Sequence, residues 1–402
     1  MRILICSRVA PLPPIMDGLR LQVSALAKAL SEHHEVRILA YGRPGPGPPQ
    51  VGSATLHLIE PERPAHFRQR VQLGVDELRR RRFEPDTLAR GMADVLGEEL
   101  SSFDPEVVHV ASGKLAGLQA RLEGRPAVLA ALDATHLNIE AQAQMTKGLR
   151  RRYHLHQAKL IRRFIAAEYP HFDEIVVVSE RDRAELKRII PAARIEIITN
   201  GVDAEQFSSD PNVERERGRI IFTGALNYPP NVAAATFLAR DVMPVVRRAK
   251  PGATLVLVGR APNAEIRALD TIEGVTVVGE VPEMNAWLSS SKVYMCPMLS
   301  GTGIKNKLLE ALANGLPCIA TPLATQGMTL EPNRDVLIAE DSVGLANHVI
   351  AVLNDEDLAA SLGEAGRRYV RGNHNWEAVG QAYSNLYAAL VSGGRGLPDV
   401  DH

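Results

Sequence analysis

The sequence predicts an α/β protein of two doubly wound domains facing a central cleft, and three observations carry that expectation. The chain has 402 residues, which at about 150 residues per domain makes two domains. Short Val- and Ile-rich runs alternate with longer helical patterns, as in a parallel sheet with helices on both faces. Two such series stand on either side of a polar stretch.

In the first series, Arg2 to Cys6 reads as a buried strand, and Leu19, Val23, Leu26 and Leu30 then recur at helical spacing before a strand at Val36 to Ala40. Further strands are expected at Glu106–Val110, Ala127–Leu132, Glu174–Val178 and Ile195–Ile198. The segment Gly42–Pro49 reads as a stiff proline loop. These elements make a domain over 1–200, and Asn200-Gly201 reads as a hinge-side turn in which Asn-Gly supplies positive φ.

The stretch 201–217 is polar, contains a proline and lacks apolar periodicity, so it is expected to be a linker. A second domain over 218–372 follows, with strands at Arg219–Thr223, Thr254–Val258, Val275–Val278, Val293–Cys296, Pro317–Ala320 and Val336–Ile338. Helical material from about Val343 to Leu390 closes the chain, with 373–390 expected to pack back on the first domain and 391–402 to form a flexible tail.

Composition narrows the function classes. Apolar residues make up 45% and charged residues 23%, ordinary values for packed domains. Acidic and basic residues number 47 and 46, so no global positive field exists to hold nucleic acid. Cys6, Cys296 and Cys318 are too few and too far apart for a disulfide framework or a zinc site, which points to a reducing, cytoplasmic setting. The opening run is too short for a signal peptide, and no window of 18 apolar residues predicts a membrane span. The turn after the first strand lacks G-x-G-x-x-G, which removes a dinucleotide fingerprint.

The most informative segment is Pro297 to Gly327. A glycine-rich turn, Gly301 to Gly303, opens a helix expected from Ile304 to Asn314, with Gly315 as its stop. Helix N-termini attract anions through unpaired amides and the dipole. Ile304, Leu308, Ala311 and Leu312 share one face, and Asn306, Lys307 and Glu310 share the next. Lys307 then suits a diphosphate and Glu310 the hydroxyls of a ribose; the alternative is an ordinary (i, i+3) salt bridge on a solvated face.

The run GTGIKNKLLEALANGLPCIAT resembles the donor-site signature of the retaining GT-B glycosyltransferases of family four, glycosyl transferases group 1. The pieces VVVSERDRAELKR, ITNGVDAEQF, IIFTGALNYPPN and TLVLVGRAPNAE stand upstream in the matching order, and together they look most like a bacterial exopolysaccharide-type branch. The resemblance implies two Rossmann-like domains, an acceptor-binding one followed by a nucleotide-sugar-binding one. It implies a donor ribose on Glu310, backbone amides of Gly303 and Ile304 near the diphosphate and sugar, the nucleobase at Val281, Gly18 at the N-terminal glycine turn facing the phosphates, and Gly224, a further donor-site residue, at the turn after the second domain's first strand. Thr302 stands where the family carries the first Glu of E-x7-E, and the turn ALNYPPN lacks the Arg and Lys that members often have. Lys307, Lys305 or Arg260 must then supply positive charge, with Lys307 favoured because its face matches Glu310.

Asp133 and His136 follow a strand at its carboxyl end, where catalytic groups of open sheets gather and where the family commonly places a polar residue near the transferred sugar. Asp133 reads equally well as a helix cap. His109 reads as a satisfied structural histidine. No H-x-x-x-H or D-x-D motif supports a metal, and no cofactor is expected beyond the nucleotide sugar used as substrate.

The expected activity is sugar transfer from a nucleotide diphosphate sugar to an acceptor hydroxyl, with retention, in polysaccharide, glycolipid or glycosylated-metabolite synthesis. The rivals are an epimerase or hydrolase of the same architecture and a non-catalytic nucleotide-sugar-binding protein. The expected partners are the nucleotide sugar and a sugar, lipid-linked or small-molecule acceptor, with no nucleic acid. Lys147, Arg150, Arg151, Arg152, Lys159, Arg162 and Arg163 crowd one helical segment, 147–163, interleaved with Tyr153, Leu155 and other apolar residues. That segment suits peripheral contact with an anionic membrane, or alternatively a solvated helix.

Overall fold

The computed structural model describes residues 1–12, 18–43, 50–60, 85–132, 134–210 and 212–393. It divides into two compact units, one formed by Met1–Thr199 with Trp376–His402 and the other by Asn200–Asn375.

In the first unit the elements run β1 (Arg2–Ser7), α1 (Gly18–Leu30), β2 (Glu35–Tyr41), β3 (Gln50–Val51), β4 (Ala54–Ile59), α2 (Pro85–Ser102), β5 (Val107–Val110), β6 (Ala127–Leu132), α3 (Thr135–Met145), α4 (Gly148–Glu168), β7 (Glu174–Val177), α5 (Glu180–Ile189) and β8 (Ile195–Ile197). Its sheet has the order β3-β4-β2-β1-β5-β6-β7-β8, parallel except where β3 meets β4. The Val- and Ile-rich strands are buried on both faces because helices cover both sides. Leu19, Val23, Leu26 and Leu30 of α1 are at most 8% exposed, and each such burial stabilises by about 1.5–3 kcal/mol.

The hairpin β3–β4 is absent from the sequence expectations. ATLHLI buries only alternate residues, Ala54 and Leu56, and leaves Thr55 and His57 exposed. Such a segment lacks the continuous apolar run that marks the central strands.

The second unit runs β9 (Arg219–Thr223), α6 (Pro229–Phe237), α7 (Met243–Ala249), β10 (Thr254–Val258), α8 (Ala264–Ala268), β11 (Val275–Gly279), α9 (Met284–Ser289), β12 (Val293–Cys296), α10 (Asn306–Asn314), β13 (Cys318–Ala320), β14 (Leu337–Ile338), α11 (Ser342–Asn354) and α12 (Glu356–Asn373). Its parallel sheet has the order β11-β10-β9-β12-β13-β14. The strand order reverses between β9 and β12, and open sheets bind ligands beyond the carboxyl ends of strands at such a switch point.

The stretch expected to be a linker is folded into this second unit. Val202 bridges Asn375, the Asp210 amide donates to Ser289 Oγ at 3.2 Å, and the Glu216 amide donates to Ser290 O at 2.9 Å. Polar composition misled because these contacts are made by backbone amides, which carry no apolar signal.

The closing helical material is three helices, α11, α12 and α13 (Trp376–Val391), broken by Asp355, which caps α12, and by His374. Helix α13 belongs to the first unit, where His34 Nε2 lies 2.7 Å from Ser384 Oγ and Tyr387 Oη lies 2.7 Å from His109 Nδ1. Residues 394–402, the greater part of the expected flexible tail, and 44–49 of the proline loop lie outside the described residues. No described helix is long and apolar enough to cross a membrane.

Candidate functional site

Four adjacent strands of the second unit carry the candidate donor residues at their carboxyl ends. Gly224 follows β9, Arg260 follows β10, Val281 follows β11, and the segment Gly301–Lys307 lies between β12 and α10. The first two turns are locked together, with the Gly224 amide donating to Val258 O at 3.1 Å and the Leu226 amide to Arg260 O at 2.9 Å. A Cβ at Gly259 would lie 1.8 Å from Gly224 O, so only glycine permits this approach.

Helix α10 starts at Asn306, two residues later than expected, because Gly303 takes φ 67° and the chain enters the helix only after Lys305. No side chain caps its N-terminus, and no acid lies in its first turn. The Leu308 amide turns back to Lys305 O at 2.8 Å, and the amides of Asn306 and Lys307 ahead of it suit an anionic acceptor. The other end is fixed. Gly315 adopts φ 76°, and the Arg367 and Arg215 guanidiniums donate to the carbonyls of Asn314 at 3.1 Å and Gly315 at 3.3 Å, complementing the negative end of the dipole. Leu308, Ala311 and Leu312 are fully buried and Ile304 is 8% exposed, which sets the rotation of the helix.

That rotation leaves Asn306, Lys307 and Glu310 half-buried on the neighbouring face. Lys307 Nζ does not pair with Glu310. It donates to Asn231 Oδ1, lies 4.7 Å from the centroid of the Phe222 ring, and lies 3.9 Å from Met298 Sδ. Burial lowers the Lys307 ammonium to about 8, with Lys305 acting in the same sense and Cys296 and Glu310 opposing. Burial raises the Glu310 carboxyl to about 7, against the attraction of Lys307. No donor among the described residues meets that carboxylate. The (i, i+3) salt-bridge alternative is therefore not what the fold builds.

Lys305 is turned into its own loop, where Nζ donates to Gly303 O at 2.7 Å and Thr302 O at 2.9 Å. It stiffens the glycine turn, whereas the sequence offered it as a cation for a ligand. Asn306 Oδ1 accepts from Asn200 Nδ2 at 2.9 Å. Neither Asn200 nor Gly201 takes a positive φ, so the hinge-turn expectation gives way to a contact with the helix start. Arg260 is half-buried, and its carbonyl rather than its guanidinium makes the turn contact described above.

Among family descriptions, Glycosyl transferases group 1 matches residues 217–355 and Glycosyltransferase Family 4 matches residues 16–206. The two matches together take in most of the chain. The chain belongs to the family 4, group 1 glycosyltransferases.

Relatives of known name are glycosyltransferases as well. The chain is 26% identical over 206 residues to a phosphatidyl-myo-inositol mannosyltransferase of Mycobacterium leprae, a match covering 49% of this chain and 54% of the relative. It is 29% identical over 232 residues to a GDP-mannose-dependent alpha-(1-6)-phosphatidylinositol monomannoside mannosyltransferase of Mycobacterium tuberculosis, covering 52% and 59%. The matched region thus spans little more than half the length of these relatives.

Solved structures agree over nearly the whole length. Sucrose-phosphate synthase from Thermosynechococcus elongatus superposes with a TM-score of 0.73 at 17% identity, covering 98% of this chain and all of that one. HepE of Anabaena, in complex with UDP and glucose, gives 0.66 at 13%, covering 97% and 100%. These superpositions, at such low identity, show the fold alone, which is GT-B.

In this family member the candidates of the first unit are placed differently. Gly18 is the exposed first residue of α1. His136 is fully buried, with Nε2 2.9 Å from Glu185 Oε1, a carboxylate that also meets Arg162 at 3.1 Å and Arg188 at 2.9 Å. This bond ties α3 to α5, and Nδ1, buried as well, meets no hydrogen-bond partner among the described residues. Asp133 lies outside the described residues. The amide of Ala134 is taken by Asp182 Oδ1 at 3.0 Å.

Asn231 escaped the sequence reading. It sits in a Pro-Pro-Asn turn that looks like ordinary helix initiation, and its partner Lys307 is 76 positions away. Its one sequence signal is a buried-type position occupied by a polar residue in the first turn of α6, which is weak by itself.

Proposed function

We propose that the chain transfers a sugar from a nucleotide diphosphate sugar to an acceptor hydroxyl, with retention of configuration at the anomeric carbon and without a metal ion. The observation that carries this reading is the Lys307 ammonium, withdrawn from water beside an uncapped helix N-terminus, with the Glu310 carboxylate on the same face. The helix amides and the ammonium are suited to the charge that develops on a departing diphosphate. Glu310 is suited to accept hydrogen bonds from both ribose hydroxyls.

The bond from the anomeric carbon to the diphosphate oxygen breaks, and the acceptor oxygen attacks from the same face. Its proton passes to the leaving phosphate oxygen. Little side-chain chemistry is needed, so positioning and preorganised charge dominate. Thr302 in place of a carboxylate leaves sugar recognition to a hydroxyl and backbone.

The relatives named for GDP-mannose and phosphatidylinositol mannosides, and the neighbour bound to UDP and glucose, support a nucleotide-sugar donor and a lipid-linked acceptor. The first unit is assigned to the acceptor. Its helix α4 leaves Arg150, Arg151, Arg152, Lys159 and Arg163 exposed. It also exposes Leu149 by 83%, Tyr153 by 48% and Leu155 by 46%. Arg162 is paired with Glu140 and Glu185 and leaves this set. Basic and apolar side chains on one exposed helix suit an anionic lipid surface, and the proposal puts the protein at the inner face of the cell membrane.

The test is a thermal-shift panel of UDP- and GDP-sugars, followed by product analysis with and without acceptor. A donor at 100 times its Kd stabilises by roughly 2.7 kcal/mol. Product formed only with acceptor supports transfer. Free sugar or an epimerised donor without acceptor supports the hydrolase or epimerase reading, and binding with no turnover across acceptors supports a binding protein.

A further inference from the structure

The turn that follows β9 lacks the basic side chains that would otherwise face a diphosphate, and the structure brings a cation to it from α10. Lys307 Nζ lies 2.8 Å from the place a Cβ would take on Gly224, and Asn231 Nδ2 lies 2.7 Å from the same place. Gly224 takes φ 145°, so the absent side chain and the backbone conformation together open the turn to the ammonium.

The amide of Asn231 cannot rotate freely. Its Nδ2 donates to Ala225 O at 3.0 Å, which leaves Oδ1 to accept from Lys307. Asn231 is 5% exposed, and a buried amide with both ends occupied is costly to reorient. The titratable groups that face Lys307 are Lys305 from the loop before α10, Cys296 from the end of β12 and Glu310 from its own helix. None of them makes a hydrogen bond to the ammonium, so Asn231 is the acceptor that fixes where it points.

We infer that Asn231 is a positioning residue for the transfer reaction: reading its orientation from Ala225 O, it holds the Lys307 ammonium under the Gly224 turn, where a diphosphate oxygen of the donor would be met. The inference rests on the nucleotide-sugar reading for its ligand, but not for the geometry of the pair. Asn231→Asp keeps the volume, gives up the donor to Ala225 O and places a negative charge against the ammonium. Asn231→Ala removes the acceptor and frees the lysine to follow solvent.

The test begins on the ligand-free protein with lysine carbon-13 labelled at Cε and the Lys307 signal assigned by its loss in Lys307→Gln. The midpoint of that signal is expected to rise in both variants, in Asn231→Asp because a carboxylate faces the ammonium and in Asn231→Ala because the lysine moves towards solvent, while the circular dichroism spectra stay those of the parent. An unchanged midpoint in both variants overturns the inference whether or not any nucleotide binds. The second arm is calorimetry with UDP, GDP and inorganic diphosphate at pH 7. Asn231→Ala is expected to bind the nucleotide that the parent prefers about tenfold more weakly, and with an identified donor to lower kcat more than it raises KM. Equal diphosphate affinity of parent and Asn231→Ala also overturns the positioning role. Failure of the parent to bind any of the three overturns the donor reading instead, and the titration alone then judges the Asn231–Lys307 pair.

Discussion

Asn200 Nδ2 donates to Asn306 Oδ1 over 2.9 Å, which ties the first residue of the second unit to the first residue of the helix that carries Lys307 and Glu310. Asn200 is itself held, because its carbonyl lies 2.7 Å from His374 Nδ1, and His374 Nε2 lies 3.0 Å from Tyr369 Oη. Removing the side chain by Asn200→Ala is expected to weaken nucleotide binding by about 1 kcal/mol, roughly fivefold, through a looser helix start. Calorimetry with the preferred nucleotide measures it; unchanged affinity would show that Asn306 is oriented by its helix alone.

If the proposed ribose contact holds, Glu310→Gln should weaken donor binding by about 1.5–3 kcal/mol, the worth of a charge-assisted pair, and leave the fold intact. Donor Kd and the circular dichroism spectrum are the two readouts. Loss of affinity with loss of fold would make the residue structural.

The same two side chains predict a bell-shaped pH dependence of donor affinity. Ribose hydroxyls favour the carboxylate form of Glu310, whose free pKa is raised to about 7, so affinity falls as pH drops through 7. The diphosphate favours the ammonium form of Lys307, lowered to about 8, so affinity also falls as pH climbs through 8. Glu310→Gln should flatten the acidic limb and Lys307→Ala the alkaline one. A limb that survives its own substitution belongs to another group.

Lys307→Ala should lower kcat by more than it raises KM, because leaving-group charge grows towards the transition state. Steady-state kinetics with an identified donor decide this, and a normal kcat with KM alone raised reduces the lysine to a ground-state contact.

The strands that position this site were legible because continuous Val and Ile runs are buried on both faces, and Arg219–Thr223, Thr254–Val258 and Val293–Cys296 form with the expected ends. The shared face of Lys307 and Glu310 was legible from helical spacing. Whether the two residues paired with each other was not, because the answer lies with Asn231, a contact made across 76 positions. The bond from His136 Nε2 to Glu185 left no local signal for the same reason, since the two residues are 49 positions apart.

His109 gives a prediction about stability. It is buried against Tyr383 and Tyr387, and burial lowers it from 6.5 to about 3. Below pH 6.5 the unfolded chain takes up a proton that the folded one refuses, so its contribution is fully present above 6.5 and is lost as pH falls towards 3. The slope for one such group approaches about 1.4 kcal/mol per pH unit. Urea melts of the parent and His109→Gln between pH 4 and 7 should converge as the pH falls; parallel curves would mean the histidine protonates in place.

For the membrane surface, cosedimentation with phosphatidylglycerol vesicles but not with phosphatidylcholine vesicles is expected, with release by salt, since the attraction is screened over about 8 to 10 Å. Replacing Arg150, Arg151 and Arg152 by Gln should abolish it. Equal behaviour on both vesicle types would return α4 to the solvated helices.

Sugar transfer with retention is tested most directly by proton NMR of the first product formed from the preferred nucleotide sugar and an acceptor, recorded in excess EDTA. The anomeric coupling of the product should match that of the donor, and the chelator should leave the rate unchanged. An inverted anomer would contradict the same-face displacement assigned to this site, and loss of turnover in EDTA would contradict a reaction carried by Lys307 and the α10 N-terminus without a metal ion.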